Sequence, residues 1–161
     1  MHRQGLAARS LLVLAITILL LAPGSIPVRA QSSDAFVPVT DAMLRQPAPE
    51  NWISFRNGYS LWGYSALDQI TGDNVGGLQL VWSRAMNDGY QEVEPIVYNG
   101  VMFLANVEDI VEAIDATTGD LLWRYRRNLP DNIANVTGTR YRYRNVSIYD
   151  DKIFLATNDA F

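Results

Sequence analysis

The sequence predicts an all-β fold assembled from repeated four-stranded blades, and three observations predict it. From Leu78 onward, short runs rich in β-branched and aromatic residues follow one another: Leu78 to Arg84, Pro95 to Tyr98, Val101 to Ala105, Ile110 to Ile114, Leu121 to Tyr125, Val146 to Tyr149 and Ile153 to Ala156. Asn99-Gly100 lies between two of them and is a strong hairpin signal, because both residues tolerate positive φ; Asp150-Asp151 stands in the equivalent place between the last two. Finally, Tyr98 to Ala105 aligns with Tyr149 to Ala156 at an offset of 51, with four of eight positions identical and the apolar ones still apolar except Val101, which meets Lys152.

The first thirty residues stand apart from this pattern. Arg3 and Arg9 precede an unbroken apolar run from Leu11 to Ala22, Pro23 and Gly24 break it, and Val28-Arg29-Ala30 supplies small or modest residues at cleavage spacing. This is the layout of a secretory signal peptide. The run is too short for a membrane span, which needs about 20 apolar residues. The arginines are not adjacent, so nothing points to twin-arginine export. Residues 1–30 are therefore expected to be removed, and the mature chain to start near Gln31 in the periplasm.

Residues 31–77 read as an N-terminal arm. Thr40 or Asp41 is placed to cap a short helix running to about Arg45, which Pro47 and Pro49 stop. A second helical turn is expected after the cap-like cluster Thr71-Gly72-Asp73-Asn74. Residues 78–161 then form the start of the repeated β structure.

Within that stretch a second echo runs in phase with the first. Ala66-Leu67-Asp68 with Thr71-Gly72 and Trp82 matches Ala113-Ile114-Asp115 with Thr118-Gly119 and Trp123. Two hairpins per unit and a repeat of roughly 40 to 50 residues is the arithmetic of a propeller blade. In the fuller copy, Asp115 to Gly119 makes a polar turn with a glycine available for positive φ, and Trp123 lies on the returning strand. Large indoles at these places suit packing between blades, so Trp82 and Trp123 are assigned structural roles on comparable outer strands.

Composition limits the chemistry. Seventeen acidic against 13 basic side chains argue against nucleic acid as a partner, even though Arg140, Arg142 and Arg144 alternate with tyrosines. There is no cysteine, hence no disulfide, thiolate metal site or lipid anchor. The single histidine, His2, falls in the removable segment, so the mature residues cannot supply imidazole to a zinc site or a hydrolytic triad. Carboxylates, arginines, hydroxyls or a bound cofactor remain.

The string Ala113-Ile114-Asp115-Ala116-Thr117-Thr118-Gly119-Asp120-Leu121-Leu122-Trp123 resembles the tryptophan docking motif of quinoprotein dehydrogenases. Val39-Thr40-Asp41-Ala42-Met43-Leu44, Asn51-Trp52, Tyr64-Ser65-Ala66-Leu67 with Gln69-Ile70, Asn74-Val75 with Leu78, and Val81-Trp82 resemble the opening of the pyrroloquinoline quinone (PQQ)-dependent alcohol dehydrogenases, in the usual order. The likeness continues through Ala156-Thr157 and Asp159. It implies an eight-bladed propeller of which this chain is an N-terminal part: about one complete blade plus flanking strands. It also implies PQQ on the ring axis beside a calcium or lanthanide ion, an alcohol substrate whose hydride passes to the quinone, and a cytochrome c-type electron acceptor. An aspartate base, the metal ligands and any haem c attachment would lie in further sequence, with the remaining blades as partners. No catalytic or metal-binding residue is expected in this stretch, which by itself should be inactive.

Two cofactor-binding residues follow from the resemblance. Glu92, in Gln91-Glu92-Val93-Glu94-Pro95, matches the family glutamate on the first blade's inner strand, with Glu94 as its nearby rival. Arg144, in Arg144-Asn145-Val146-Ser147, matches the arginine that opens the next blade and pairs with a PQQ carboxylate; Arg140 and Arg142 compete with it. Guanidinium is chemically apt for a tricarboxylate, being planar and permanently charged. The family's adjacent cysteines, which form a disulfide ring, fall here at Gly138 and Thr139, so that ring cannot form. The alternative reading of the whole is a non-catalytic PQQ-like propeller serving as a binding or assembly scaffold.

Overall fold

The structure is a computed structural model that describes residues 36–138, the backbone of 142–143, and residues 145–160. The expected signal peptide lies outside the described residues, as do Thr139, Arg140 and Arg144.

The centre is one four-stranded antiparallel meander of β2 (Ile96–Tyr98), β3 (Val101–Asn106), β4 (Ile110–Asp115) and β5 (Leu121–Arg126), hydrogen-bonded in that order. It is preceded by the two-residue strand β1 (Tyr90–Gln91). A short helix (Ile133–Thr137), β6 (Arg142–Tyr143) and the hairpin β7 (Ser147–Tyr149) and β8 (Lys152–Phe154) follow it. The Asn99-Gly100 turn has φ of 49° and 75° and joins the paired residues Tyr98 and Val101, the two-residue geometry that matches strand twist. Asp150, with φ of 53°, opens the corresponding turn between the paired Tyr149 and Lys152. Four strands in up-and-down order make one blade.

The blade's burial is uneven. Ile110, Val111, Glu112, Ala113 and Ile114 of β4 are all buried, whereas all six residues of β5 are exposed. Strands buried on both faces read as continuous apolar runs, and β4 does so except at Glu112. Val39, Ile53, Ile96, Tyr98, Phe103, Ala105, Val146 and Ile148 complete the core.

Two of those core residues come from the arm, which fastens onto the sheets. Val39 exchanges backbone hydrogen bonds with Asp150 at 2.9 and 2.8 Å, and Trp52 with Val97 at 2.7 and 2.8 Å. The second pair covers the open edge of β2, which would otherwise present unpaired backbone groups. Tyr98 donates its hydroxyl to the Val37 carbonyl at 2.7 Å. Helix α1 (Asp41–Arg45) forms as expected, with Thr40 Oγ1 accepting from the Met43 N–H, and a 3-10 turn spans Val75–Gly77. Among the described residues no helix is long and apolar enough to cross a membrane.

The strand expected over Leu78 to Arg84 is not formed, so Trp82 and Trp123 do not occupy comparable strands. Leu80 and Val81 are 83% and 85% exposed, and no described segment pairs with this one. A β-ladder requires a neighbour, and apolar, β-prone residues without one stay unpaired. Trp82 is nevertheless anchored through its side chain. Its Nε1 donates to the Ala116 carbonyl at 3.1 Å, and its ring lies so close to Gly119 that a Cβ there would meet ring atoms at 2.7 to 2.9 Å. Gly119, at φ 78°, therefore answers two demands at once. The turn holding it is set by Asp115, whose Oδ1 accepts from the N–H groups of Thr117 and Thr118 at 2.8 and 3.1 Å. Trp123 sits on β5 opposite Ala113 and against the Phe103 ring, 6.0 Å between centroids.

Candidate functional site

Glu92, one of the two residues singled out from sequence, lies where the blade begins. Strand β1 pairs in parallel with β6, Tyr90 with Arg142 and Gln91 with Tyr143. Elsewhere the described ladders are antiparallel, so this pair joins the start of one unit to the start of the next. Glu92 is exposed and directly follows Gln91; Arg144 directly follows Tyr143 in the chain but lies outside the described residues.

Glu92 and Glu94 differ in their exposure and in the contacts around them. Glu94 Oε1 accepts from the Trp52 indole at 2.5 Å and from the Arg56 N–H at 2.8 Å, while the Glu94 N–H donates to Asn145 Oδ1 at 2.6 Å. Glu94 is thus a fastening between the arm, the first blade and the start of the second. Glu92, the other carboxylate of the pair, presents itself to solvent.

On the opposite side of β1, Gln91 turns toward the blade. Its Nε2 donates to Asn106 Oδ1 at 2.7 Å, and the same oxygen accepts from the N–H groups of Asn87 at 3.2 Å and Val107 at 2.9 Å. Asn106 is 1% exposed. The adjacent positions Gln91 and Glu92 therefore differ in exposure, Gln91 half-buried and Glu92 exposed.

Further cross-unit ties lie at the far turns. Asp109, fully buried, accepts from the Asn158 N–H and Nδ2 at 3.0 and 3.2 Å. Arg127 Nε lies 2.9 and 3.0 Å from the two Asp159 carboxylate oxygens. The Thr157 hydroxyl and Arg127 hold the Asp159 carboxyl below its ordinary value against the opposing effect of burial.

Sequence reasoning missed the buried charge of the blade. Glu112 is 1% exposed and receives Arg84 Nε and Nη2 at 3.2 and 3.0 Å and Arg124 Nε at 2.7 Å. Burial alone pushes the Glu112 carboxyl up, but the two guanidinium groups outweigh it and hold the carboxyl below the usual range. The available signal was the glutamate interrupting the apolar run Ile110 to Ile114. Its two partners, 28 and 12 residues away, gave none. Gly138, one of the two positions of the absent cysteine pair, ends the short helix with φ 76°.

An apolar cleft of about 740 Å³ lies between the blade and the β7–β8 hairpin, bordered by Phe36, Tyr98, Phe103, Trp123, Ile153 and Phe154. Glu92 does not line it, and its walls carry few groups able to orient a polar ligand.

Comparison with known proteins fits this geometry. The glucose/ethanol/alcohol dehydrogenase β-propeller domain of the PQQ class matches residues 52–161. The dehydrogenase subunit of a quinone alcohol dehydrogenase from Acetobacter aceti is 40% identical over 114 residues, which is 70% of this chain and 15% of that protein. A quinohemoprotein alcohol dehydrogenase from Pseudomonas putida is 32% identical over 161 residues, 99% of this chain and 22% of that protein. The crystal structure of the quinohemoprotein alcohol dehydrogenase from Comamonas testosteroni superposes with a TM-score of 0.67 at 27% identity, covering 74% of this chain and 18% of that one. The chain thus spans between one seventh and one quarter of the length of these relatives. A four-stranded blade, a tryptophan docked on the Asp115–Gly119 turn and these matches lead to one conclusion: the chain belongs to the PQQ-type β-propeller family of glucose, ethanol and alcohol dehydrogenases.

Proposed function

We propose that this chain forms a complete blade, and the cofactor-facing edge beside it, of an eight-bladed periplasmic PQQ-dependent dehydrogenase that oxidises alcohols and delivers electrons to a cytochrome c-type acceptor. In this reading Glu92 and Arg144 contact PQQ on the ring axis. The observation that carries it is the parallel β1–β6 ladder, because inner strands of neighbouring blades run side by side around an axis. Glu92 and Arg144 are the next residues along the chain after the paired Gln91 and Tyr143, a carboxylate in one unit and a guanidinium in the next.

The residues suit the cofactor. A guanidinium forks onto a carboxylate of the tricarboxylate, and Glu92 is an exposed acidic side chain on this edge, whereas Glu94 is engaged by Trp52 and Arg56. PQQ, when bound, supplies a two-electron quinone acceptor for the hydride of the alcohol. The part of this chain is to bind and orient; calcium or lanthanide ligands, the aspartate base and any haem c site belong to other blades.

The test is PQQ titration of the complete apo-protein, followed by quenching of tryptophan emission. Glu92→Gln and Arg144→Met are each expected to weaken binding about tenfold, equivalent to about 1.4 kcal/mol. Unchanged affinity in both would overturn the assignment. The isolated 161-residue chain, supplied with PQQ and calcium, is expected to give no dye-linked alcohol oxidation. Turnover by that chain would refute its dependence on the remaining blades.

A further inference from the structure

We infer that residues 36–56 of the arm are a clasp that sets the joint between the first blade and the β7–β8 unit, gripping the same turn position in each. The two grips are Asn51 on the Asn99 turn and Val39 on the Asp150 turn.

Asn99 and Asp150 are equivalent residues, each opening the turn of its hairpin, at φ 49° and 53°. The ladder closes at Tyr98 and Val101 in one hairpin and at Tyr149 and Lys152 in the other, which leaves the N–H of the first turn residue without a ladder acceptor in either. The arm supplies both acceptors. Asn51 Oδ1 accepts from the Asn99 N–H at 3.0 Å, and the Val39 carbonyl accepts from the Asp150 N–H at 2.8 Å. One segment therefore satisfies the same orphan group in two successive units.

Each grip is reinforced by backbone pairing and by burial. Beside Asn51, Trp52 exchanges two backbone bonds with Val97 of β2; Val39 does the same with Asp150, directly after β7. Ile53 and Val39 are 2% and 1% exposed and share one apolar cluster with Ile96 of β2 and Ile148 of β7. The Val37 carbonyl, two residues before the second grip, already accepts the Tyr98 hydroxyl of the first blade at 2.7 Å. Both units are thus tied within three consecutive residues of the arm, Val37 to Val39.

Between the grips the arm has little slack. Helix α1, capped by Thr40, fills its first part; Pro47 and Pro49 fix their own φ, and the Asn51 N–H returns to the Ala48 carbonyl at 2.9 Å. A displacement at one grip is therefore passed to the other. The β7–β8 hairpin has need of such a support: its strands are three residues each and pair only with each other among the described residues, and an isolated two-stranded hairpin is marginal in water. Its far end is held by Asp109 through the Asn158 N–H, and its turn end falls to the arm.

The test is amide hydrogen exchange of the complete apo-protein, read peptide by peptide by mass spectrometry. Asn51→Ala removes the acceptor of the first grip; exchange should rise about fivefold at residues 96–100 and, through the arm, about threefold at residues 147–155, while residues 110–115 stay within about twofold of wild type. Val39→Ala, which trims the buried anchor of the second grip, should speed residues 147–155 about tenfold, again sparing residues 110–115. An Asn51→Ala effect confined to residues 96–100 would show two independent contacts and overturn the clasp. Unchanged exchange at residues 147–155 in Val39→Ala would overturn it too, since the arm would then not hold the second unit. Acceleration that includes residues 110–115 to the same degree would mean loss of the whole fold in place of a loosened joint, and would likewise count against it.

Discussion

The β2–β5 blade and the Leu78–Arg84 segment look alike as sequence and differ as structure. Both carry β-branched and aromatic residues, and both contain a tryptophan that comes after a Thr-Gly pair. One is a hydrogen-bonded meander with a buried middle strand; the other is an exposed run that touches the blade through two side chains, Trp82 and Arg84. Strand propensity is a statement about fitting a pleated surface, and a segment realises it only when a ladder partner is present. Trp82 and Arg84 show the other route to order, in which an indole and a guanidinium find fixed receptors without any backbone pairing.

The largest test of this contrast removes the receptor's charge balance. Arg84→Met combined with Arg124→Met leaves the Glu112 carboxylate buried without a cation, and urea unfolding should record a loss of about 3–5 kcal/mol. Glu112→Met should cost far less, because it removes the buried charge together with the need for it. A loss as large from Glu112→Met would mean that the ion pair itself, and not the isolated carboxylate, is what matters. The Glu112 carboxyl titrates below its ordinary value when folded, so its contribution is present above an unfolded pKa near 4.5 and is lost as the pH falls through the lower folded value. Glu112→Gln is expected to show a shallower decline in stability than wild type across that acid range.

Next in size comes the indole's receptor. Gly119→Ala imposes a side chain on φ 78° and drives its Cβ into the Trp82 ring, so about 2–3 kcal/mol should be lost, with a red shift of tryptophan emission as the indole is displaced. Gly100→Ala is the matched control: φ is 75°, but nothing lies within 4 Å of the added carbon. About 1 kcal/mol should be lost there, with no spectral change. Equal losses at the two glycines would show that Trp82 is not seated on Gly119 in solution.

The smallest expected effect falls on the unpaired run. Val81→Ser should change stability by no more than about 0.5 kcal/mol, as is usual for exposed positions. A loss several times larger in urea unfolding would reveal that Leu78 to Arg84 is in a ladder in solution, and the contrast between the two regions would disappear.

Much of the blade was legible because its signals are local. Asn99-Gly100 specifies its own turn, Thr40 caps its own helix, and the alternation around Phe103 needs only the next strand. Position 92 was singled out through resemblance, and the contacts that Trp52 and Arg56 make to Glu94 became visible only in the fold. The Glu112 clamp and the Gln91–Asn106 bond were not legible. Each joins residues 12 to 28 positions apart through side chains, and no periodicity encodes which arginine or amide will meet which partner. The short helix Ile133–Thr137 was likewise hidden, since it has no side-chain cap and buries one residue, Ile133.

The meander's contiguity has a bearing on how the protein is made. Every bond of the four-stranded ladder joins residues within positions 96–126, so each hairpin closes over a few intervening residues as soon as that stretch is available. The indole of Trp82 has nowhere to settle until the Asp115–Gly119 turn already exists, and it must close a loop of more than thirty residues to arrive. A chain emerging amino end first would therefore carry its early segment unsettled until a later one has taken shape. Folding kinetics should then give Trp82 a φ-value near zero beside higher values in β3 and β4.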